Sequence, residues 1–195
     1  MRWHASMIDL DGITAACGII YTIGEQGFRH VATAWSVGTG EWISACLPDD
    51  VELHLLTARD GTTAAIDGIE RDGEVAGFTS HDVGCSLSVG DEPVRKREQV
   101  SVVGYPTVID HPSFRLHRGS LDHERYYPYL CPWAGEGHLS LFSKDFGYAT
   151  VPTWPGMNGS PVFGDDGRVV GVVLSISQGE PPLTRFQRLT SAGAE

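Results

Sequence analysis

Short apolar stretches, alternating or continuous and separated by glycine-rich turns, run along most of the chain. They are rich in β-branched side chains, a pattern that predicts strands rather than helices. One short helix is predicted near the C-terminal end, in "LTRFQRLT". So many short strands predict an all-β fold, arranged as a sandwich or as barrels. The predicted strands are residues 18–21, 30–37, 41–45, 51–56, 84–89, 99–105, 138–142, 161–163 and 168–174.

Length and charge narrow the range of functions. The 195 residues suffice for one domain or two closely packed halves with a substantial core. A formal net charge of −11 argues against a nucleic-acid partner, because binding to phosphates needs clustered lysine and arginine. No stretch approaches the roughly 18 apolar residues that a membrane span requires, so no membrane partner is expected either. The oligomeric state is left open.

The N-terminal region and the cysteines bear on the compartment. Asp9 and Asp11 interrupt the apolar stretch that a signal peptide would need, so a cytoplasmic protein of bacterial type is expected. Free thiols are the expectation in that compartment. None of the four cysteines forms a Cys-x-x-Cys pair, and we predict no metal and no cofactor. They are Cys17, Cys46, Cys85 and Cys131.

Four stretches, in chain order, resemble segments of the trypsin-like, chymotrypsin-fold serine peptidases. They are "GTGEWISACL", "SHDVGCSLSV", "EQVSVVGYP" and "GMNGSPVFGDDGRVVGVV". The last is similar to the family's nucleophile turn, Gly-x-Ser-Gly-Ser-Pro-Val, and to the hairpin that follows it. The resemblance implies two packed antiparallel six-stranded β-barrels in a single domain spanning residues 1–195. The first barrel would cover about 13–92 and the second about 98–180.

The same resemblance places the family's catalytic roles on residues that cannot perform two of them. Leu47 falls where the family has its general base His, Asp82 falls on the Asp, and Asn158 falls on the nucleophilic Ser. A leucine side chain has no lone pair, and an asparagine amide forms no acyl-enzyme, so proton transfer and attack are both lost. The backbone N–H groups of Gly156 and Asn158 occupy the family's oxyanion-hole positions. The resemblance implies that they could still receive a carboxylate or carbonyl oxygen.

Two other interpretations retain hydrolysis. Ser160 lies two positions beyond the nucleophile position and is a candidate substitute, or Asn158 is an inactivating replacement of a natural serine. Leu47 argues against the second interpretation, because a single replacement would have left the histidine in place. Cys46 and the strand histidines, His30 among them, are interpreted as structural residues.

Aromatic residues concentrate in the region that walls the specificity pocket in active relatives. Tyrosine and tryptophan bury a large area at low entropic cost and are therefore frequent at recognition surfaces. An aromatic core of the second barrel is the alternative, although the polar, proline-broken segment 122–137 favours an interface. The candidate partner-binding residues are Tyr126, Tyr127, Tyr129, Trp133 and Trp154.

The sequence thus favours a catalytically inactive trypsin-like pseudoprotease that binds a protein or peptide as a scaffolding or regulatory module. An accessory subunit of a bacterial stress or defence assembly is one form such a module could take. An active serine endopeptidase with a non-standard nucleophile is the competing prediction.

Overall fold

The computed structural model describes residues 9–24, 27–90, 95, 97–107, 132–176 and 182–189. Within these ranges the chain forms one short helix, α1 (Leu10–Ala15), and strands in two antiparallel units. Seven strands form the first unit: β1 (Cys17–Gly24), β2 (Gly27–Gly38), β3 (Glu41–Ala45), β4 (His54–Thr57), β5 (Thr63–Ala65), β6 (Asp67–Asp72) and β7 (Val75–Thr79). Six form the second unit: β8 (Gln99–Gly104), β9 (Trp133–Phe142), β10 (Phe146–Ala149), β11 (Pro161–Phe163), β12 (Val169–Ile176) and β13 (Thr184–Arg188). Across the described ranges, no helix has the length and apolar character to span a bilayer.

The first unit is a sheet of order β5-β4-β1-β2-β3-β7-β6 whose two ends are consecutive in the chain. Only Ile66 separates β5 from β6, and its N–H donates to the Leu53 carbonyl at 3.2 Å. The sheet therefore curls far enough to bring its two edge strands together at this corner, while β6 stays exposed along its length. Its concave side holds an apolar cluster that includes Ile20, Trp42 and Phe78.

The second unit is a closed barrel of order β10-β13-β12-β11-β8-β9. Alternate residues of its strands, among them Val100, Leu139, Val162 and Phe186, fill its interior. This alternation follows from the period of two along a strand, which sends every second side chain to the same face.

A third apolar cluster lies between the two units and joins them. From the first unit it takes Ile19, Trp35 and Val75, and from the second it takes Phe163 and Val172. Trp35 and Ile19 have no solvent exposure at all. Burying a side chain of this size stabilises the fold by roughly 1.5–3 kcal/mol, so the two units are held together by the hydrophobic effect.

The all-β prediction is confirmed, and the seven-stranded sheet replaces one of the two expected six-stranded barrels. The predicted C-terminal helix is wrong, because that segment is strand β13, in which Thr184 and Phe186 are buried while the residues between and after them are less so. The helix lies instead at α1, where the Asp9 side chain accepts a hydrogen bond from the Gly12 N–H and caps the first turn. Segment 84–89 is not a strand, although Val89 forms one isolated bridge to Val169.

The tight turn of residues 156–160 touches both units and helps to join them. Gly159 donates its N–H to the Val173 carbonyl in β12 at 2.7 Å, while the Asn158 carbonyl accepts from the Thr33 N–H in β2 at 2.8 Å. Gly159 has a φ of +84°, and a Cβ there would overlap the Thr33 carbonyl oxygen and lie 2.9 Å from the Ala45 nitrogen. Only glycine fits at this position.

We expect Gly159→Ala to lower the free energy of unfolding by more than about 3 kcal/mol, because strain at positive φ adds to a clash with backbone atoms that cannot move aside. Gly167→Ala is the matched control, since Gly167 has a φ of +77° but nothing within 4 Å of a Cβ. It should cost about 1 kcal/mol. Urea unfolding measures the free energy of unfolding of both variants. An equal loss in Gly159→Ala and Gly167→Ala would contradict the close contact between Gly159 and the backbone of β2.

Candidate functional site

The turn presents two backbone N–H groups that have no acceptor among the described residues. The Pro155 carbonyl accepts from the Thr107 N–H at 2.7 Å, and the Met157 carbonyl accepts from the Ser160 N–H at 3.0 Å. In a trans peptide the C=O and N–H point in opposite directions, so these bonds turn the N–H groups of Gly156 and Asn158 the other way. Two donors on one fixed turn can receive a carbonyl or carboxylate oxygen.

Thr33, on β2, holds this turn in place. Its Oγ1 donates to the Gly156 carbonyl at 3.1 Å and accepts from the Tyr105 N–H at 3.0 Å. Its own carbonyl accepts from Ser44 Oγ, on β3, at 2.6 Å. Thr33 is fully buried, so these bonds form away from water. The turn is therefore anchored to β2, β3 and the residue after β8.

His30 lies beside the same turn as a neutral, structural residue. Its Nε2 donates to the Ala32 carbonyl at 3.1 Å, and its ring Cε1 is 3.1 Å from the position that a Cβ on Gly156 would take. Burial lowers the pKa of His30 to about 4, and hydrogen bonds to the Ala32 and Gly156 backbone only partly oppose this. A histidine with so low a pKa carries no charge at pH 7.

Leu47, which the sequence resemblance aligns with the general base, is part of the first unit's core. It is 6% exposed and belongs to the apolar cluster that contains Leu53, Phe78 and Val83. The residue before it, Cys46, has a φ of +56°, which is uncommon for a residue with a β-carbon. The chain at the end of β3 thus places this side chain among apolar residues rather than in solvent.

Asp82 is exposed and has a local partner. Its carboxylate accepts from the Gly84 N–H at 2.8 Å, which closes a small turn within the segment. The neighbouring Val83 is buried in the same cluster as Leu47. Segment 82–83 therefore lies against the core that contains Leu47, but the carboxylate is used to stabilise its own turn.

Ser160 is fully buried, and its hydroxyl has no hydrogen-bond partner among the described residues. The hydroxyl packs so closely over Gly104 that a Cβ there would overlap it. A nucleophile must reach the carbonyl carbon of a bound substrate. A side chain packed in this way has no path to one in this conformation.

Cys46 has the wrong protonation state for a nucleophile. Burial, then the nearby Glu74 carboxylate, raises the pKa of the Cys46 thiol to about 11. The thiol donates to Glu74 Oε2 at 3.6 Å and to the Leu174 carbonyl at 3.5 Å. Cys17, Cys46 and Cys85 are free thiols. Across the described ranges, no three His, Cys, Asp or Glu side chains come together in a way that could hold a metal ion.

The aromatic candidates divide into three groups. Tyr126, Tyr127 and Tyr129 lie outside the described residues. Trp133 is half-buried, folds its indole ring back over Gly135 and packs against the core of the second barrel. Trp154 is 53% exposed and adjoins the turn, where its carbonyl accepts from the Met157 N–H at 3.0 Å.

The sequence pattern did not single out Thr33 or the position of His30 beside the turn. Both residues lie within a stretch that is interpreted simply as a strand, and their partners are more than 70 residues away in sequence, at Tyr105 and Gly156. The signal that could have found Thr33 is a buried threonine inside an apolar run, since such a hydroxyl needs hydrogen-bond partners.

The folded protein should lose stability in acid through His30. The unfolded chain binds a proton near pH 6.5 and the folded chain only near pH 4, so stability is fully present above pH 6.5 and falls as the pH drops to 4. The loss amounts to at most about 3 kcal/mol. Urea midpoints of His30→Gln should fall less over this window than those of the native chain. His138→Gln, at an exposed histidine, is the control. If the urea midpoint of His30→Gln falls with pH as steeply as that of the native chain, His30 is not the cause of the acid destabilisation.

Comparison with known proteins identifies the family and supports the fold. Residues 18–172 match the trypsin-like peptidase domain family. No curated protein sequence matches the chain.

Three solved structures of similar fold illustrate the likeness. A Glu endopeptidase in complex with MPD has a TM-score of 0.67 and 12% identity, over 92% of this chain and 86% of that one. The active form of the Rv3671c protease from M. tuberculosis has a TM-score of 0.70 and 12% identity, over 91% and 78%. The HtrA-type protease AlgW, solved with a decapeptide, has a TM-score of 0.67 and 10% identity, over 91% and 62%. Since the family match spans most of the 195 residues, this chain belongs to the trypsin-like peptidase domain family.

Proposed function

We propose that this chain is a catalytically inactive member of its family that binds another protein or a peptide, as a scaffolding or regulatory module. One observation carries the proposal. The side chain at the general-base position, Leu47, is packed in an apolar core, while the N–H groups of Gly156 and Asn158 have no acceptor among the described residues. The groups that move protons are missing, and the groups that hold an oxygen remain.

The chemistry of acyl transfer explains why these two substitutions matter together. A hydroxyl attacks, an imidazole takes and returns its proton, and a carboxylate orients the imidazole. Because these groups act as a unit, the loss of one removes most of the rate and the loss of a second adds little. The remaining carboxylate, Asp82, is bonded to Gly84 and has no imidazole to orient at position 47.

Binding has a different requirement, which the turn meets. The bonds that the Pro155 and Met157 carbonyls accept orient the N–H groups of Gly156 and Asn158. Among the described residues these two N–H groups have no acceptor that an incoming oxygen would have to displace. Hydrogen bonds to a charged group contribute about 1.5–3 kcal/mol each. Trp154 offers exposed apolar surface beside them. The ligand we favour is a peptide whose C-terminal carboxylate lies on the turn, and the AlgW structure shows a protein of this fold solved with a peptide.

An active hydrolase that uses Ser160 is the competing candidate. The full burial of Ser160 and its packing over Gly104 weigh against it. Leu47 likewise weighs against an inactivating replacement of a natural serine at Asn158, because the residue aligned with the general base is a leucine packed in the core.

We expect no covalent labelling of the native chain by a fluorophosphonate probe, which reacts with activated serines. An active trypsin labelled under the same conditions shows that the probe is competent. Labelling of the native chain that disappears in Ser160→Ala would overturn the proposal. The double variant Leu47→His, Asn158→Ser should stay unlabelled too, because the side chain at position 47 faces the core and the Asp82 carboxylate is bound to Gly84.

Peptide binding can be tested with acetyl-Ala-Ala-Pro-Leu as the free acid and as the carboxamide. The free acid should bind at least about 10-fold more tightly, a difference of about 1.4 kcal/mol. Its carboxylate is negatively charged and accepts stronger hydrogen bonds from the N–H groups of Gly156 and Asn158 than the neutral carboxamide does. In ¹⁵N-resolved NMR spectra, the amide protons of Gly156 and Asn158 should move downfield as the acid is added. Trp154→Ala should weaken the binding of the acid and of the carboxamide to the same extent. Equal affinities for acid and amide, with shifts elsewhere, would show that the turn is not the binding site.

A further inference from the structure

A cavity of about 300 Å³ lies on the outer face of strands β3, β7 and β6, next to the interface between the two units. On this face Ala45 and Val75 form a cross-strand pair covered by the second barrel. The next pair outward, Ile43 and Gly77, belongs to the cavity. The cavity therefore continues a buried apolar face beyond the point where its cover ends. Its lining residues are Val37, Glu41, Trp42, Ile43, Gly68, Glu70, Gly77, Phe78 and Thr79.

The floor of the cavity is open because of Gly77. A Cβ on this residue would meet nothing within 4 Å, and its φ is not positive. The half-buried side chains of Val37 and Ile43, which pack against the interface core, form an apolar wall beside it. An aliphatic chain lying over Gly77 would thus bury apolar surface on both partners.

Two carboxylates border this apolar floor from opposite sides of β7. Glu41 on β3 pairs with Thr79, and Glu70 on β6 pairs with Gly77. Glu41 and Glu70 are separated by two strand spacings, about 10 Å, and by a stagger of two residues, about 7 Å along the strands, so a cation between them is within reach of both side chains. Neither glutamate has an ion pair or side-chain hydrogen bond within the described part of the chain. Their negative charge is therefore not neutralised by any residue that the structure describes.

The edge of the sheet beside the cavity indicates what kind of molecule would bring the cation. Strand β6 is at the end of the sheet, with β7 as its hydrogen-bonded neighbour, and all six of its residues are exposed. An exposed edge can pair with an extended segment of another chain, in which alternate side chains face the same side. The acidic residues of β6, Asp67, Glu70 and Asp72, oppose pairing with a second copy of this acidic chain and favour a basic segment.

We propose that this cavity binds an arginine side chain from an extended, basic segment of a partner protein that lies along β6. The methylene groups of the arginine cross β6 at Gly68, where the absence of a side chain leaves room, and the guanidinium lies over Gly77 between Glu41 and Glu70. Arginine fits better than lysine because its planar guanidinium presents five donors in a fixed fork and can serve two carboxylates at once. The site is independent of the proposed function, since it holds whether or not the chain cleaves peptides.

The probe is the capped pentapeptide acetyl-Thr-Val-Arg-Val-Thr-amide, compared with the same peptide carrying neutral citrulline in place of arginine. The arginine peptide should bind at least about 10-fold more tightly in a calorimetric or NMR titration, and less tightly as salt rises. The amide signals of Gly68 and Gly77 should shift during the titration. Agmatine supplies the guanidinium without a peptide backbone and should bind at least about 10-fold more weakly than the arginine peptide.

Two variants test the site itself. Gly77→Val fills the floor with a residue that suits a strand, and it should abolish binding of the arginine peptide while the spectrum of the folded chain is kept. Glu41→Gln with Glu70→Gln should reduce the affinity to that of the citrulline peptide. The matched control removes two exposed carboxylates from the second unit, Glu136→Gln with Asp145→Asn, and should leave the affinity within about 2-fold.

Several results would overturn the proposal. They are equal affinity for the arginine and citrulline peptides, unchanged binding in Gly77→Val, and no binding of the arginine peptide at millimolar concentration. Agmatine binding as tightly as the peptide would also overturn it, by showing a site for a free guanidinium compound rather than for a partner chain. An equal loss of affinity for the arginine peptide in the control double variant and in the Glu41, Glu70 double variant would show that the peptide is attracted only by the overall negative charge of the protein.

Discussion

The position of the turn depends on the hydrogen bonds made by one buried residue, Thr33. Its N–H, hydroxyl and carbonyl bond to Asn158, Gly156, Tyr105 and Ser44, so strands from both units meet at a single point of β2. These groups are buried and cannot form hydrogen bonds with water instead. Each bond lost would leave a buried polar group unpaired and lower the free energy of unfolding by about 1–3 kcal/mol. The site geometry is thus a consequence of how the two units pack.

This arrangement separates the framework of the site from its reactive groups. The bonds that fix the turn run between backbone atoms and the Thr33 and Ser44 side chains. None of them involves the side chain at position 47 or at position 158. Catalytic side chains can therefore be replaced without disturbing the turn, and an apolar residue at position 47 even adds to the core. A fold built in this way can lose its chemistry and keep its shape.

Much of the fold could be predicted from the sequence, because strands are set by short-range alternation and turns by glycine. The "GMNGSP" stretch located the turn, since Gly156 and Gly159 both have positive φ there. Segment 183–190 misled, because its charged residues fit a helix as well as a strand, and only pairing with β10 and β12 decides between them. Strand β6 was missed because its exposed positions carry no apolar pattern. The cavity was also beyond prediction, since it depends on the cross-strand neighbours of Gly77.

The meeting of β5 and β6 at Ile66 has a consequence for how the first unit moves. The β4–β5 pairing extends to Ile66, whose N–H donates to the Leu53 carbonyl, and the Ser80 hydroxyl, just after β7, donates to the Ala65 carbonyl at 2.8 Å. These described bonds at the corner are few compared with the ladders between neighbouring strands elsewhere in the sheet. Cooperative opening begins where the fewest bonds must break together. This corner is therefore where we expect the first unit to open most readily, and opening there would expose the apolar cluster against which Ile66 packs. Leu47, which the sequence resemblance aligns with the general base, belongs to that same cluster.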